Sequence, residues 1–388
     1  MKFLFIVQGE GRGHMTQAVA LSQILEGMGH EVAATCIGKS KRRNIPEFVI
    51  KNLKSPVHSI ESPNFVSDKN NRKILLGKSI LLNLSKFPVF LKSLRNIDEV
   101  VKHHNPDVII NFYDILGGLY NLLYRPQASC WAIGHQYLID HPDFPFAKSH
   151  GLEKLLFKIN TKITSMGTDR IFALSFRPLA SNTFSKVRIV PPILRKDIFE
   201  LNPSEGDFIL SYMVNPGYGE EVVKFAKRHP NIKIEAFWDK KGVGKTHHAL
   251  PNLTFHQVDD QLFLSKMASC KGLLSTAGFE SICEAMYLGK PVMMVPVAGQ
   301  YEQACNALDA IKSGAGISNK NFDFKFFHDY LSASLFQPSQ MDTWAKMTIG
   351  IMEEEIGMLQ NVKKRNVNYG NQLGHEYQTF HFNLPKKS

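Results

Sequence analysis

Short apolar runs alternate with stretches of helical periodicity through most of this chain. In the first half, Lys2–Val7, Glu31–Ile37, Val108–Phe112, Ala128–Ile133, Arg170–Ala173 and Val187–Val190 predict buried strands. Between them, Thr16–Met28, Val89–His103 and Leu152–Ser165 carry apolar residues at helical spacing. Strands that alternate with helices predict a parallel sheet. Pro191-Pro192-Ile193-Leu194-Arg195 then breaks the pattern and reads as a linker. A second alternation follows. Phe208–Met213, Ile232–Phe237, Leu253–His256, Gly272–Ser275 and Val292–Pro296 predict strands, and Gly219–Arg228, Asp260–Met267, Phe279–Leu288 and Glu302–Ser313 predict helices. The tail is helical from about Met341 to Leu359, then polar and basic from Asn361. The pattern predicts an α/β protein of two Rossmann-like domains, residues 1–194 and 195–388, each of ordinary domain size.

The most informative turn lies in the second half. The apolar run Gly272-Leu273-Leu274 leads into Ser275-Thr276-Ala277-Gly278, and a helix opens at Phe279. A strand, a loop of small residues and a helix start make an anion site, because free backbone N–H groups and the helix dipole both face the loop. Glu284 lies one turn inside that helix, where a carboxylate can reach back toward a ribose hydroxyl, so the arrangement suits a nucleoside diphosphate. Taken alone, the loop reads equally well as a plain strand-to-helix turn. After the next strand, Ala298-Gly299-Gln300-Tyr301-Glu302-Gln303-Ala304-Cys305-Asn306-Ala307 adds a polar cluster at a strand's C-terminal end, where open α/β sheets bind ligands.

The first strand ends in Gln8-Gly9-Glu10-Gly11-Arg12-Gly13-His14. Alternating glycines let the backbone approach a ligand at a helix start. The dinucleotide fingerprint is absent, because His14 stands where its third glycine belongs and the second strand ends in Ile37-Gly38-Lys39 without an acid. A dehydrogenase reading loses its support. A neutral imidazole at this position suits removal of a proton from a hydroxyl, and it equally suits capping of the helix. Asp114 and His135 each end a strand on the same side, where a structural and a functional role are both open. Lys240-Lys241-Gly242-Val243-Gly244-Lys245-Thr246 lacks the spacing of a phosphate-binding P-loop and reads as a basic surface loop.

The two second-half stretches together resemble the donor-nucleotide signature of GT-B glycosyltransferases, the family 28-like enzymes and the UDP-glycosyltransferases. The resemblance implies a donor site in which Thr276, Ala277, Gly278 and Phe279 meet the phosphates. Ser281 would supply a hydroxyl, Glu284 bind the ribose, and Glu302 and Gln303 hold the transferred sugar. By position, Asn215 and Gly217 match the loop that touches the donor phosphates, and Val258 the stretch that holds the base. Glu280 departs from the pattern, since an acid beside a pyrophosphate repels it unless it turns away. The loop at Gly9–His14 resembles the Gly-x-Gly-x-Gly-His turn of family 28-like transferases. There the histidine faces the acceptor, which implies His14 as base, Asp114 as its orienter or an acceptor ligand, and Gly11, Arg12, Gly13 and His135 on the acceptor side. The fold implied is GT-B, two Rossmann-like domains facing across a cleft, with a C-terminal helix that crosses back to the first. The activity implied is inverting, metal-independent transfer from a nucleotide sugar, a UDP-sugar by preference, to an acceptor hydroxyl, with no cofactor. No Asp-x-Asp motif is present to hold a divalent metal. A UDP-N-acetylglucosamine 2-epimerase-like enzyme and a non-catalytic sugar-nucleotide-binding protein are the alternatives.

Charge changes the picture in one place. The net charge is +11, and residues 39–95 hold 13 Lys/Arg against 3 acids. Within that window the segment 74–87 mixes apolar and basic residues. Such a segment can lie on an anionic membrane surface, carrying a lipid-linked acceptor, or form a partly buried helix with solvated lysines. No nucleic-acid-binding pattern accompanies the charge, so no nucleic-acid partner is expected. The 5 cysteines are scattered, without Cys-x-x-Cys spacing, which predicts neither disulfides nor a zinc site. No run of 18 apolar residues occurs, and the opening strand is too short for a signal peptide. The expected location is cytoplasmic, with peripheral contact at the inner membrane face left open.

Overall fold

Burial on both faces is what a parallel sheet demands of its strands, and the apolar runs supply it. A computed structural model describes residues 1–39, 45–64, 76–148, 151–180, 185–213, 219–240 and 242–363. In the first half the elements run β1 (Lys2–Val7), α1 (Arg12–Gly27), β2 (Glu31–Lys39), α2 (Glu47–Asn52), β3 (Val57–Glu61), α3 (Leu76–Ser85), α4 (Phe87–His104) and β4 (Val108–Phe112). They continue with α5 (Ile115–Tyr124), β5 (Ser129–Gly134), a 3-10 turn at His135–Asp140, α6 (Leu152–Thr164), β6 (Arg170–Leu174) and β7 (Val187–Val190). The strands pair in the order β3-β2-β1-β4-β5-β6-β7, all parallel.

A 3-10 turn at Lys196–Glu200 leads to the second half, β8 (Phe208–Tyr212), α7 (Gly219–Arg228), β9 (Lys233–Trp238), β10 (Thr246–Leu250), β11 (Leu253–Gln257) and α8 (Asp260–Ser269). Then come β12 (Gly272–Ser275), α9 (Phe279–Tyr287), β13 (Val292–Met294), α10 (Tyr301–Lys312), β14 (Gly316–Ser318), α11 (Phe324–Ser332) and α12 (Met341–Lys346). The second sheet reads β10-β11-β9-β8-β12-β13-β14. Its edge strand β10 pairs antiparallel with β11, which the sequence pattern does not reveal because the hairpin is short and rich in histidine. Buried clusters fill each half, one around Leu4, Ile6, Ile97 and Tyr120, the other around Ile209, Ile234, Phe255 and Phe327.

The chain divides into a body, Met1–Ala345, that holds both sheets, and a segment, Lys346–Ser388, that is helical over 348–363. Within the body the chain does return to the first half after the second sheet: the Trp344 indole donates to the Ser175 carbonyl at 3.0 Å, just past β6. Helix boundaries follow local chemistry. Asp114 caps α5 by accepting from the Leu116 N–H, and Asp259 caps α8 through the Leu262 N–H. Helix α1 starts at Arg12, four residues before the periodicity predicts, because the glycine loop itself takes up the first turn. Gly9 is required there: a Cβ would stand 1.6 Å from the Gly38 carbonyl oxygen at the end of β2. Among the described residues, no helix is long and apolar enough to cross a membrane.

Candidate active site

In each sheet the strand order reverses once, between β1 and β4 in the first and between β8 and β12 in the second. Such switch points open a crevice at the strands' C-terminal ends, because the connections leave in opposite directions. His14 follows β1 and Asp114 follows β4, so they flank the first crevice. Thr276–Phe279 follow β12 and flank the second; Asn215 and Gly217, expected on its other flank, lie outside the described residues.

In the first crevice, the His14 ring stacks on Tyr113 with centroids 5.6 Å apart. Tyr113 holds φ at 59°, a left-handed conformation rare for an aromatic residue. That backbone turns the ring onto His14 and lets Asp114 enter the cap of α5 in the same step. The Tyr113 hydroxyl pairs with Thr161 Oγ1 of α6 at 2.7 Å. Burial lowers the His14 imidazole to about 4, with Gln17 beside it opposing, and Nδ1 has no hydrogen-bond partner. The Asp114 carboxyl accepts from Ser62 Oγ at 2.8 Å and from the Leu116 N–H, leaving Oδ2 buried without a partner. Burial raises this carboxyl to about 6, against those hydrogen bonds. Among the described residues no hydrogen bond links Asp114 to His14, so the structure does not bring the expected orienter to the expected base.

The side chain that meets His14 is Gln136. Its Nε2 lies 3.5 Å from His14 Nε2 and donates to Glu302 Oε1 at 2.8 Å. Glu302 sits in the first turn of α10, so one amide spans from the first half's histidine to the second half's sugar-binding candidate. Burial raises the Glu302 carboxyl, and Gln136 and Asn306 pull it back. Gln303 Oε1 accepts from the Val297 N–H at 3.0 Å, in the loop after β13.

Helix α9 opens on Gly278, which offers no side-chain cap, and nothing lies within 4 Å of where a Cβ on Gly278 would stand. Asn306 Nδ2 holds the Ala277 carbonyl at 3.2 Å, fixing the loop from α10. Ser281, in the first turn, is partly exposed, as are Thr276 and Gly278, and Val258 is partly exposed past the end of β11. Glu280 Oε2 accepts from Gln17 Nε2 of α1 at 3.0 Å. Burial, with the Glu284 charge adding to it, pushes the Glu280 carboxyl well above the usual carboxylate range. Glu284 is 2% exposed and is not free; Arg195 reaches its Oε1 through Nε at 2.7 Å and Nη2 at 2.6 Å.

His135 and Phe279 meet where the two halves touch. Their rings stack at 4.3 Å, with Phe176 4.6 Å from Phe279. His135 Nδ1 pairs with the Leu174 carbonyl at 2.8 Å, and Nε2 stands 3.6 Å from Asp309 Oδ2, which shares its carboxylate with Arg177 at 2.9 Å. His135 is 2% exposed and its imidazole is lowered by burial. It joins the two halves. The Phe279 side chain does the same, while its backbone stays at the helix start. Spacing does not mark Gln136, Gln17, Tyr113 or Arg195, because each acts through a contact between distant parts of the chain.

The model for glycosyl transferase family 1 matches residues 1–334. An uncharacterised glycosyltransferase of Methanosarcina acetivorans is 23% identical over 348 residues, 81% of this chain and 85% of that protein. Among solved structures, the calicheamicin glycosyltransferase CalG4 matches with a TM-score of 0.61 at 14% identity, over 92% of this chain and 98% of that one. MurG of Acinetobacter baumannii gives 0.54 at 14% identity, over 93% and 99%. The UDP-GlcNAc 2-epimerase of Neisseria meningitidis, solved with UDP-GlcNAc bound, gives 0.50 at 12% identity, over 92% and 99%. The structural likenesses concern the fold, two sheets with facing crevices in the GT-B manner. With the family match across both halves, the chain is a glycosyltransferase and belongs to glycosyl transferase family 1.

Proposed function

We propose that the protein transfers a sugar, with inversion and without a metal ion, from a nucleoside-diphosphate sugar to an acceptor hydroxyl. The observation that carries this reading is the Gln136 amide, which touches both His14 and Glu302. A base and a sugar-binding acid, from opposite sheets, stand within one side chain of each other. The donor pyrophosphate would lie at the uncapped start of α9, where Thr276–Ser281 and the helix dipole stabilise the leaving diphosphate. Glu284 Oε2 would take a ribose hydroxyl, Val258 would border the base, and Glu302 with Gln303 would flank the sugar. His14 would remove the acceptor proton as the hydroxyl attacks the anomeric carbon from the face opposite the diphosphate. Asp114 would bind the acceptor through its unpaired Oδ2, beside Gly11, Arg12 and Gly13. His135 would act by holding the halves together rather than by touching the acceptor. Metal independence rests on the absent Asp-x-Asp motif, and UDP as the preferred diphosphate rests on the resemblance.

Release of UDP, GDP or dTDP from the matching sugar nucleotides in EDTA tests the reaction. Release that requires added magnesium or manganese would overturn the metal-free mechanism, and no release with any donor and acceptor would overturn transfer.

An anionic membrane surface is the finer proposal for where the acceptor is met. Crossover helices in a parallel sheet start at the strands' C-terminal edge, so the starts of α4 and α6 share an edge with His14. There Leu84, Phe87, Leu152 and Leu155 are exposed by 54–67% of their surface. Lys92, Arg95, Lys158 and Lys162 follow on the same helices, a mixture suited to anionic lipid. Sedimentation with phosphatidylglycerol vesicles should be salt-sensitive, and equal pelleting with phosphatidylcholine, or none, would leave a water-soluble acceptor.

A further inference from the structure

The boundary between the halves carries a buried charge that the proposed reaction does not yet use. Arg195 follows the proline-rich stretch, behind Ile193 and Leu194, and is only 6% exposed. Its guanidinium meets two carboxylates of the second half. Nε and Nη2 both reach Glu284 Oε1, and Nη1 donates to Asp260 Oδ1. Asp260 opens α8 directly after the turn that contains Val258, whereas Glu284 lies in α9. One side chain from the linker therefore ties together the two elements that would border the base and the ribose.

We propose that Arg195 is a positioning residue for the nucleoside, holding Glu284 in register with the turn after β11 so that Glu284 Oε2 is presented to a ribose hydroxyl. This rests on the reading of Glu284 as the ribose ligand. Both Arg195 contacts use Oε1, and among the described residues Oε2 makes no hydrogen bond to protein. A carboxylate accepts a hydroxyl hydrogen bond strongly only when charged. Burial opposes that charge, raising the Glu284 carboxyl, while the Arg195 charge and hydrogen bonds pull it down and the nearby Asp260 pushes it up. Two carboxylates and one guanidinium leave a net charge of one minus in the cluster. Hydroxyl donors satisfy such a cluster, and a second anion does not, so it favours the ribose end of a donor over its phosphates. The planar fork matters too, since a lysine carries the same charge without fixing the carboxylate's plane.

The same pairing would also serve as a buried ion pair that merely supports the fold. Calorimetric titration of UDP into the full chain, from about pH 6 to about pH 9, separates the two roles. Each variant is compared with wild type at the same pH, so that the titration of the terminal phosphate of UDP, at about pH 6, cancels. Arg195→Gln should bind UDP about tenfold more weakly near neutral pH, with affinity recovering as the pH rises and Glu284 regains its charge. Arg195→Lys, which keeps the charge, should fall between the two and stay flat, and it carries the test if Arg195→Gln does not fold. Affinity of both Arg195 variants within about twofold of wild type, or uniform weakening of Arg195→Gln without a pH trend, would overturn the positioning role. Glu284→Gln answers the separate question: UDP affinity equal to wild type there would mean that the ribose reading itself is wrong, whatever Arg195 does.

Discussion

The two strand-to-helix turns at the crevices share a geometry and differ in what they offer. Both helices begin on a glycine without a side-chain cap, α1 on Gly11 and α9 on Gly278. In the first turn the Gly11 N–H is already taken by Gln8 Oε1 at 3.2 Å, and the residue that faces the crevice is His14. In the second, the space beside Gly278 is open, and the two acids of α9 are held from outside the second sheet. Gln17 of α1 holds Glu280, and Arg195 of the linker holds Glu284. The first turn thus presents a side chain that can move a proton, and the second presents backbone donors that can hold an anion. Acids tolerated so close to an anion site need partners, and the chain supplies those partners from its other half and its linker. The proposed donor site therefore depends on contact between both halves.

Removing the proton-moving side chain should produce the largest effect. His14→Ala should slow transfer by about 10²–10⁴, the usual cost of a lost general base, while leaving UDP affinity nearly unchanged. Near-normal turnover at saturating acceptor would make His14 a structural residue and break the contrast between the turns. The pH profile sharpens the test. Burial lowers His14 to about 4, so the imidazole remains a neutral base well below its ordinary range and the acid limb of kcat/KM should lie near 4. Asp114, raised to about 6 by burial, is the competing base on the same crevice, and a limb near 6 would assign the proton to it. The sign for stability follows the same shift. Unfolded His14 takes up a proton below about 6.5 and folded His14 does not until about 4, so its contribution to stability falls as the pH drops through that window.

The second turn is tested through its ribose contact. Glu284→Ala should weaken UDP binding by about 1–3 kcal/mol, the range for a lost hydrogen bond to a charged group. Turnover at saturating donor should change far less than in His14→Ala, because the carboxylate lies far along the donor from the reacting carbon. An unchanged dissociation constant would move the ribose elsewhere. Because the substitution also strands Arg195 beside Asp260 alone, Arg195→Met in combination with Glu284→Ala should restore melting behaviour without restoring affinity.

Much of this architecture was legible in the chain because parallel strands must be apolar along their whole length, and runs such as Val108–Phe112 and Gly272–Ser275 announce themselves. Three of the four edge strands, β3, β10 and β14, were not, since one exposed side frees them from that constraint; the fourth, β7, keeps an apolar run at Val187–Val190. A glycine-rich loop marked the first crevice and a loop of small residues the second, and the resemblance to the transferase signature singled out His14, Glu284 and Glu302. What the sequence concealed is the pairing. Glu284 looked free for a ribose and is already shared with Arg195; His135 looked like an acceptor ligand and is stacked on Phe279. These contacts join residues 89 and more positions apart, and no spacing rule reaches that far.

Glu280 offers the finest discrimination between the turns. A charged acid in the first turn of α9 would repel a diphosphate bound there, by an amount that depends on its direction and ionisation. The structure turns it onto Gln17 and buries it, and burial raises its carboxyl well above the usual carboxylate range, which favours the neutral form. A neutral acid and an amide of the same shape should then be nearly equivalent. Glu280→Gln should change UDP affinity by less than about threefold and melting by about 1 kcal/mol at most, since one neutral hydrogen bond replaces another. The contact with Gln17 survives the exchange, because a carboxamide oxygen can accept from Gln17 Nε2 as the carboxyl does. A gain of about tenfold in affinity would instead mean that Glu280 is ionised and faces the phosphates, at the energetic scale of a like-charge contact relieved. In that case the second turn would be an anion site working against its own acid, and the contact between α1 and α9 would be a brake on donor binding rather than a support for it.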